Sequence, residues 1–171
     1  MENTFVLEMK GISKSFPGVK ALDHVDLQVR PGTVHMMMGE NGAGKSTLMK
    51  ILNGLYAKDE GKIIYKGQEV AFNNPQRALD AGIAMIHQEL SVVPEMTIGE
   101  NIFLGCEPRK GAFVDYKKMY QNAQALLDKL NIPYDPHEKE GNLTVSGMQQ
   151  IEIAKAISRG ASIVVMDEPT S

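Results

Sequence analysis

Gly39-Glu40-Asn41-Gly42-Ala43-Gly44-Lys45-Ser46-Thr47 is the stretch on which the reading of this chain turns. It fits the pattern G-x-x-x-x-G-K-[S/T], and its flanks fit as well. Residues 33–38 form an apolar run that ends at Gly39, as a buried strand would. From Lys45 to Leu52 there is no helix breaker, and Gly54 stands just past that segment as a helix stop. Each residue type has a physical reason. Gly39, Gly42 and Gly44 let backbone N–H groups approach and surround phosphate oxygens. The helix that follows aims its positive end at the same anion. Lys45 is placed to reach the β- and γ-phosphates and Ser46 to bind Mg2+ through its hydroxyl, with Glu40, Asn41, Ala43 and Thr47 completing the loop. Mg-ATP is the natural ligand; the loop alone leaves GTP open.

Two further segments supply chemistry. Asp167 and Glu168 follow the apolar run 163–166. A strand-end Asp beside a phosphate loop is where a Mg2+-supporting carboxylate belongs, and Asp167 takes that role. Glu168, one position on, faces the γ-phosphate and can polarise the attacking water as general base. Two acids after a strand are otherwise an ordinary solvated turn, and the phosphate loop in the same chain is what changes their reading. Gln88 follows a strand at 83–87, and its amide could reach both Mg2+ and the lytic water. His87 reads as packing or surface.

The remaining chain reads as α/β. Residues 5–9 and 25–29 alternate apolar and polar side chains, and Pro31-Gly32 marks a turn. Residues 61–65 and 70–72 read as a hairpin joined at Lys66-Gly67, followed by a helix at 75–81. From 97 to 159 the pattern is mostly helical. Met119, Ala123, Leu126, Leu127 and Leu130 fall on one helix face, which is core packing. A loop with Pro133, Pro136 and Gly141 leads to a helix carrying Ile151, Ala154, Ala156 and Ile157. The expected division is a phosphate-loop core with an antiparallel β subdomain at 1–95, a helical subdomain at 96–160, and a return strand of the core at 161–171.

Composition narrows the function. The chain has 171 residues and a net charge of −3, without the basic patch of a nucleic-acid binder, so no nucleic-acid partner is expected. No apolar run approaches the roughly 20 residues of a bilayer crossing, and the first ten residues lack a signal-peptide core. Cys106 is the single cysteine, so no internal disulfide can form, and a reducing compartment fits. No Cys/His cluster suggests zinc.

The order Phe16, phosphate loop, Gln88, helical insert, signature segment and Asp167-Glu168-Pro169-Thr170-Ser171 resembles the ATP-binding cassette (ABC) family of P-loop ATPases. The resemblance implies that Phe16 stacks on adenine, since an aromatic face suits a flat base, although by itself Phe16 reads equally as a core aromatic. It implies that Gln88 couples ATP chemistry to a membrane partner. The family signature, L-S-G-G-Q, is degenerate here. Counting back from Asp167 places it at Leu143-Thr144-Val145-Ser146-Gly147, with Gln149 and Glu152-Ile153-Ala154-Lys155 following as the family does. Val145-Ser146-Gly147-Met148-Gln149 looks closer to the pattern but lies two residues too near Asp167. In the family this segment meets the γ-phosphate of ATP held by an opposite cassette. Val145 and Ser146 replace both family glycines, which puts backbone donation from this segment in question.

That degenerate signature is similar to the ATP-binding subunits of bacterial monosaccharide importers of the galactose, ribose and xylose class. Gly-Val-Lys-Ala-Leu at 18–22, Gly99-Glu100-Asn101-Ile102-Phe103-Leu104-Gly105 and residues 149–171 agree. The resemblance implies an ATPase that energises sugar import from the cytoplasmic face of the plasma membrane. Its partners would be a second ABC cassette, a transmembrane permease subunit and an extracytoplasmic sugar-binding protein. It also implies a cassette continuing past Ser171, so the chain is expected to be a fragment weak in hydrolysis by itself. Two readings compete. A soluble ABC-type ATPase of DNA repair or ribosomes would bring coiled-coil inserts or basic arms, and neither occurs. A nucleotide-regulated binding module that has lost catalysis is opposed by Lys45, Ser46, Asp167 and Glu168, all present. A P-loop kinase has no place for Asp-Glu-Pro-Thr-Ser at 167–171.

Overall fold

The computed structural model describes residues 5–86 and 91–166. Its internal contacts divide the chain into two units, with the boundary between Ala81 and Gly82.

The first unit is built on a four-stranded antiparallel sheet in the order β2-β1-β3-β4. The strands are β1 (Leu7–Phe16), β2 (Val19–Val29), β3 (Glu60–Tyr65) and β4 (Gln68–Val70). Alternation selects what is buried: Leu7, Met9, Leu27, Ile63 and Tyr65 are withdrawn from solvent, as are Leu48, Ile51 and Leu52 of helix α1 (Lys45–Leu52). Each fully buried Leu or Ile contributes about 1.5–3 kcal/mol relative to exposure. The β3–β4 turn falls at Lys66 (φ 49°) and Gly67 (φ 80°). Two successive left-handed residues are what a tight two-residue hairpin demands. The expected strand at 70–72 stops at Val70. Helix α2 (Pro75–Asp80) starts where Asn74 Oδ1 accepts from the Arg77 N–H at 2.9 Å, with Pro75 opening the helix.

The expectation at 33–38 is corrected. These residues form no strand, and Val34 is 97% exposed, with Met36 and Met38 exposed as well. A strand needs a neighbour to take its backbone N–H and C=O groups. Within this unit the sheet is made by β1 to β4 and does not take the segment in. Apolar character alone therefore does not bury it.

The second unit pairs β5 (Ile83–Ile86) with β8 (Ile163–Met166) in parallel, Ile83 opposite Ile163 and Ile86 opposite Met166. Helix α5 (Val145–Ser158) packs against β5, and α3 (Ile98–Phe103) and α4 (Tyr116–Lys129) pack against α5 and against each other. Their shared core is Ile98, Ile102, Ala123, Leu127, Ile151 and Ala154. The α4 stripe falls as its spacing predicts, with Met119, Ala123 and Leu127 buried and Leu126 and Leu130 packed against the core. Two expectations change. A two-stranded hairpin, β6 (Arg109–Lys110) and β7 (Phe113–Val114), interrupts the stretch read as helical. And β8 is not buried, since Met166 is 44% exposed. Its one strand partner among the described residues is β5.

Candidate nucleotide site

In the first unit, the loop 39–47 has the backbone its glycines permit. Gly42 and Gly44 both sit at φ 85°, a left-handed conformation that L side chains rarely adopt. Gly44 is further constrained by packing. A Cβ there would lie 2.7 Å from the Ala21 carbonyl oxygen and 2.7 Å from Leu22 Cδ2, so the loop rests directly on β2. The Ala43 N–H donates to the Glu40 carbonyl at 3.1 Å, which tightens the turn. The Lys45 ammonium folds back to donate to the carbonyls of Gly39 and of Glu40, the latter at 2.9 Å. Helix α1 begins with Gly44 as its N-cap, with no side-chain cap and no acidic residue in the first turn. Its leading N–H groups have no intrahelical partner. Ser46 is exposed on that same turn. The result is a positive helix end, a lysine and a hydroxyl for which no anionic partner stands among the described residues, which is the chemistry of a phosphate site.

Phe16 ends β1 and is half-buried. It lies edge-on to Tyr56, ring centroids 5.3 Å apart and planes at 72°. Lys14 Nζ stands 5.6 Å from the Phe16 ring centre. Lys14 also pairs with Asp59 at 2.7 Å, and Asp59 accepts the Ser15 N–H at 2.7 Å. The Lys14 ammonium, and after it the Ser15 N–H, hold the Asp59 carboxyl below the usual range. Sequence reading singled out Phe16 but missed Tyr56 and Asp59, which hold the end of β1 from a loop far along the chain.

Gln88, Asp167 and Glu168 lie outside the described residues, as does His87. What the structure does set is the register of the two strands that precede them. Because β5 and β8 run parallel with Ile86 opposite Met166, both chains leave the pair at the same end. The loop that follows residue 90 is pinned by the buried Asn101 of α3. Asn101 Oδ1 accepts the Val93 N–H at 2.9 Å, and its amide donates to the carbonyls of Val93 at 3.0 Å and Thr97 at 3.2 Å. Sequence reading quoted Asn101 only as part of a family stretch. Its burial as a polar residue is the signal that marks it.

The signature segment opens α5. Thr144 is the N-cap, its Oγ1 accepting the Gly147 N–H at 3.2 Å. Val145 is 65% exposed and Ser146 is exposed, while Leu143 packs against the helical core. Gly147 is buried. A Cβ there would come within 2.7 Å of the Tyr134 hydroxyl, which is why this helix carries glycine in its first turn. Leu143 and Gly147 are thus packing residues, and Thr144, Val145 and Ser146 face outward. Next to the segment in sequence, Glu140 is fully buried, and neither carboxylate oxygen has a hydrogen-bond partner among the described residues. Burial, reinforced by the charge of Glu152 and partly offset by Lys155, pushes its carboxyl up to about 7.

The comparisons with known proteins follow this layout. The ABC transporter family matches residues 22–171. The chain belongs to the ABC transporter family. It is 59% identical, over 99% of its length, to the galactose/methyl galactoside import ATP-binding protein of Sodalis glossinidius. It is 60% identical over its whole length to a putative ribose/galactose/methyl galactoside import ATP-binding protein of Halalkalibacterium halodurans. The chain spans about a third of those relatives, 34% and 33% respectively. Two solved ABC transporter cassettes share the architecture at 28% identity. One is nucleotide-free, with a TM-score of 0.83 over 98% of this chain and 70% of that one. The other is in an ADP conformation, with a TM-score of 0.84 over 99% and 70%. The α/β cassette fold of the P-loop ATPases, antiparallel β region and helical part included, is therefore the fold of this ABC chain. Among the described residues no helix is long and apolar enough to cross a membrane.

Proposed function

We propose that this ABC chain binds Mg-ATP at residues 39–47 and contributes to its hydrolysis, powering import of a monosaccharide of the galactose class. One observation carries the nucleotide reading: α1 begins uncapped behind a glycine loop whose only internal cation, Lys45, is held by two loop carbonyls. The arrangement accepts a polyphosphate without displacing any side-chain cap. Lys45 would exchange the Gly39 and Glu40 carbonyls for β- and γ-phosphate oxygens. Phe16 would receive the adenine.

The donor set also fits Mg2+, since Ser46 offers an exposed hydroxyl beside the phosphate position, and Asp167 and Gln88 would complete its protein ligands. When bound, the ion neutralises charge on the phosphates. Glu168 would take a proton from the attacking water as general base, with Gln88 orienting that water. The outward face of Thr144, Val145 and Ser146, at the positive end of α5, would meet the nucleotide of a second cassette. The family's two glycines are not needed for this, because the helix N-terminus itself exposes the N–H groups of Val145 and Ser146.

The sugar reading rests on the import relatives, which are 56–60% identical. From it follow the remaining partners, a permease subunit and an extracytoplasmic sugar-binding protein, and a place on the cytoplasmic face of the membrane. The three-part division at 95 and 160 belongs to the same proposal.

Calorimetry with Mg-ATP tests the core of the reading. Lys45→Ala deletes one charged hydrogen-bonding partner and is expected to weaken binding by about 10- to 100-fold. Equal affinity in the variant and the parent chain would remove the phosphate-loop assignment.

A further inference from the structure

We propose that Tyr56 is a positioning residue for the nucleobase. It sets the plane of the Phe16 ring and links the base end of the site to the phosphate end through α1. The inference rests on the reading of Phe16 as the base-stacking residue and goes beyond it by assigning the residue that orients the ring.

The connection is continuous through the first unit. Helix α1 starts at the phosphate loop and ends at Leu52, with Asn53 as its C-cap. The chain then turns through Gly54 at φ 73°, where any Cβ would strike the Asn74 backbone at 2.9 Å. The N–H groups of Leu55 and Tyr56 both donate to the Lys50 carbonyl, at 2.8 and 3.2 Å. Tyr56 is therefore fastened to the last turn of the phosphate-binding helix. Its ring meets Phe16 edge-to-face, and Lys50 Nζ lies 5.7 Å from its own ring centre.

Three residues on, Asp59 ties the same loop to the end of β1. It receives the Lys14 ammonium and the Ser15 N–H, and its own N–H donates to the Ser13 carbonyl at 2.9 Å. Asp59 thus holds the three residues that lead into Phe16, and Tyr56 meets its ring. A half-buried Phe at a strand end has few other constraints on its rotamer. An aromatic ring stacks on a flat base only over a narrow range of orientations, so a fixed ring plane raises affinity for nucleotides that carry a base.

The ligand class that separates this role from ordinary packing is the base itself. The affinity of the chain for Mg-ATP and for magnesium tripolyphosphate, which has the phosphates but no base, is measured by calorimetry. Tyr56→Ala is expected to weaken Mg-ATP binding about three- to tenfold and leave tripolyphosphate within twofold, the range an edge-to-face aromatic pair supplies. Tyr56→Phe, which keeps the ring, is expected to bind both as the parent does. Phe16→Ala is the control for the underlying reading and should lose ATP selectively as well. If Phe16→Ala is selective and Tyr56→Ala is not, the role of Tyr56 is overturned alone. If Phe16→Ala weakens neither ligand, the stacking reading falls and takes this inference with it. Equal loss of both ligands in Tyr56→Ala marks a merely structural residue and overturns the proposal. Retained tripolyphosphate binding reports a folded phosphate loop in each variant.

Discussion

Glu140 offers the sharpest quantitative prediction, because its burial has a computable consequence for stability. Its side chain has no exposure and, among the described residues, no hydrogen-bond partner for either oxygen. The backbone on both sides is committed. The Glu140 N–H donates to the Met96 carbonyl at 3.1 Å, and its carbonyl accepts the Leu143 N–H at 3.0 Å. Lys155, whose charge partly offsets the effect of burial, is engaged with Glu152 at 3.1 Å and the Ser91 carbonyl at 3.2 Å. The carboxyl rises from its ordinary 4.5 to about 7. The folded state therefore holds the proton more tightly than the unfolded state does. The penalty is absent below the unfolded value, grows as pH rises from 4.5 towards 7, and is constant above the folded value. The difference of about 2.5 in pKa, at about 1.36 kcal/mol each, makes the full penalty about 3 kcal/mol. Most of it accrues between pH 5 and pH 8.

Glu140→Leu keeps the side-chain volume and removes the titrating group. Urea unfolding followed by circular dichroism suits a chain without tryptophan. The parent is expected to lose about 2–3 kcal/mol more than the variant on going from pH 5 to pH 8. Every other ionisable group is common to both chains, so the difference between their profiles isolates Glu140. Glu140→Gln should flatten the pH dependence in the same way while keeping an unsatisfied buried amide. Parallel pH profiles for all three chains would refute the reasoning, whatever their absolute stabilities.

Three further expectations follow from the geometry. Gly44→Ala forces a side chain into a left-handed position and against β2, and should cost at least about 1–3 kcal/mol and abolish Mg-ATP binding, read by thermal melting and calorimetry. Thr144→Ala removes the α5 cap and should destabilise by about 1 kcal/mol, whereas Ser146→Ala, one turn position inside, should change stability by less than about 0.5 kcal/mol. The reverse order would mean that the helix begins elsewhere. Asn101→Ala should raise amide exchange across residues 91–97 and lower stability by about 2–4 kcal/mol, since it strands the Val93 N–H and three carbonyl contacts together.

The features legible in the residue order are local ones. The phosphate loop, the span of α1, the two-residue turn at Lys66-Gly67 and the apolar face of α4 depend on residue types a few positions apart. Dihedral preference and helical period act over that range. The tertiary structure decided everything that needs a second element. Residues 33–38 carry a strand's pattern, yet pairing is a property of two chains and the sheet of their unit does not include them. Glu140 stands in the charged run His137-Glu138-Lys139-Glu140, and only the packing of α5 and the loop 91–96 over it takes it out of water. Tyr56 reads as an unremarkable loop aromatic until the fold lays the end of β1 against it. Side chains brought together from distant positions leave no periodic trace in the chain, because what joins them is the free energy of the packed state and not the conformational preference of either segment.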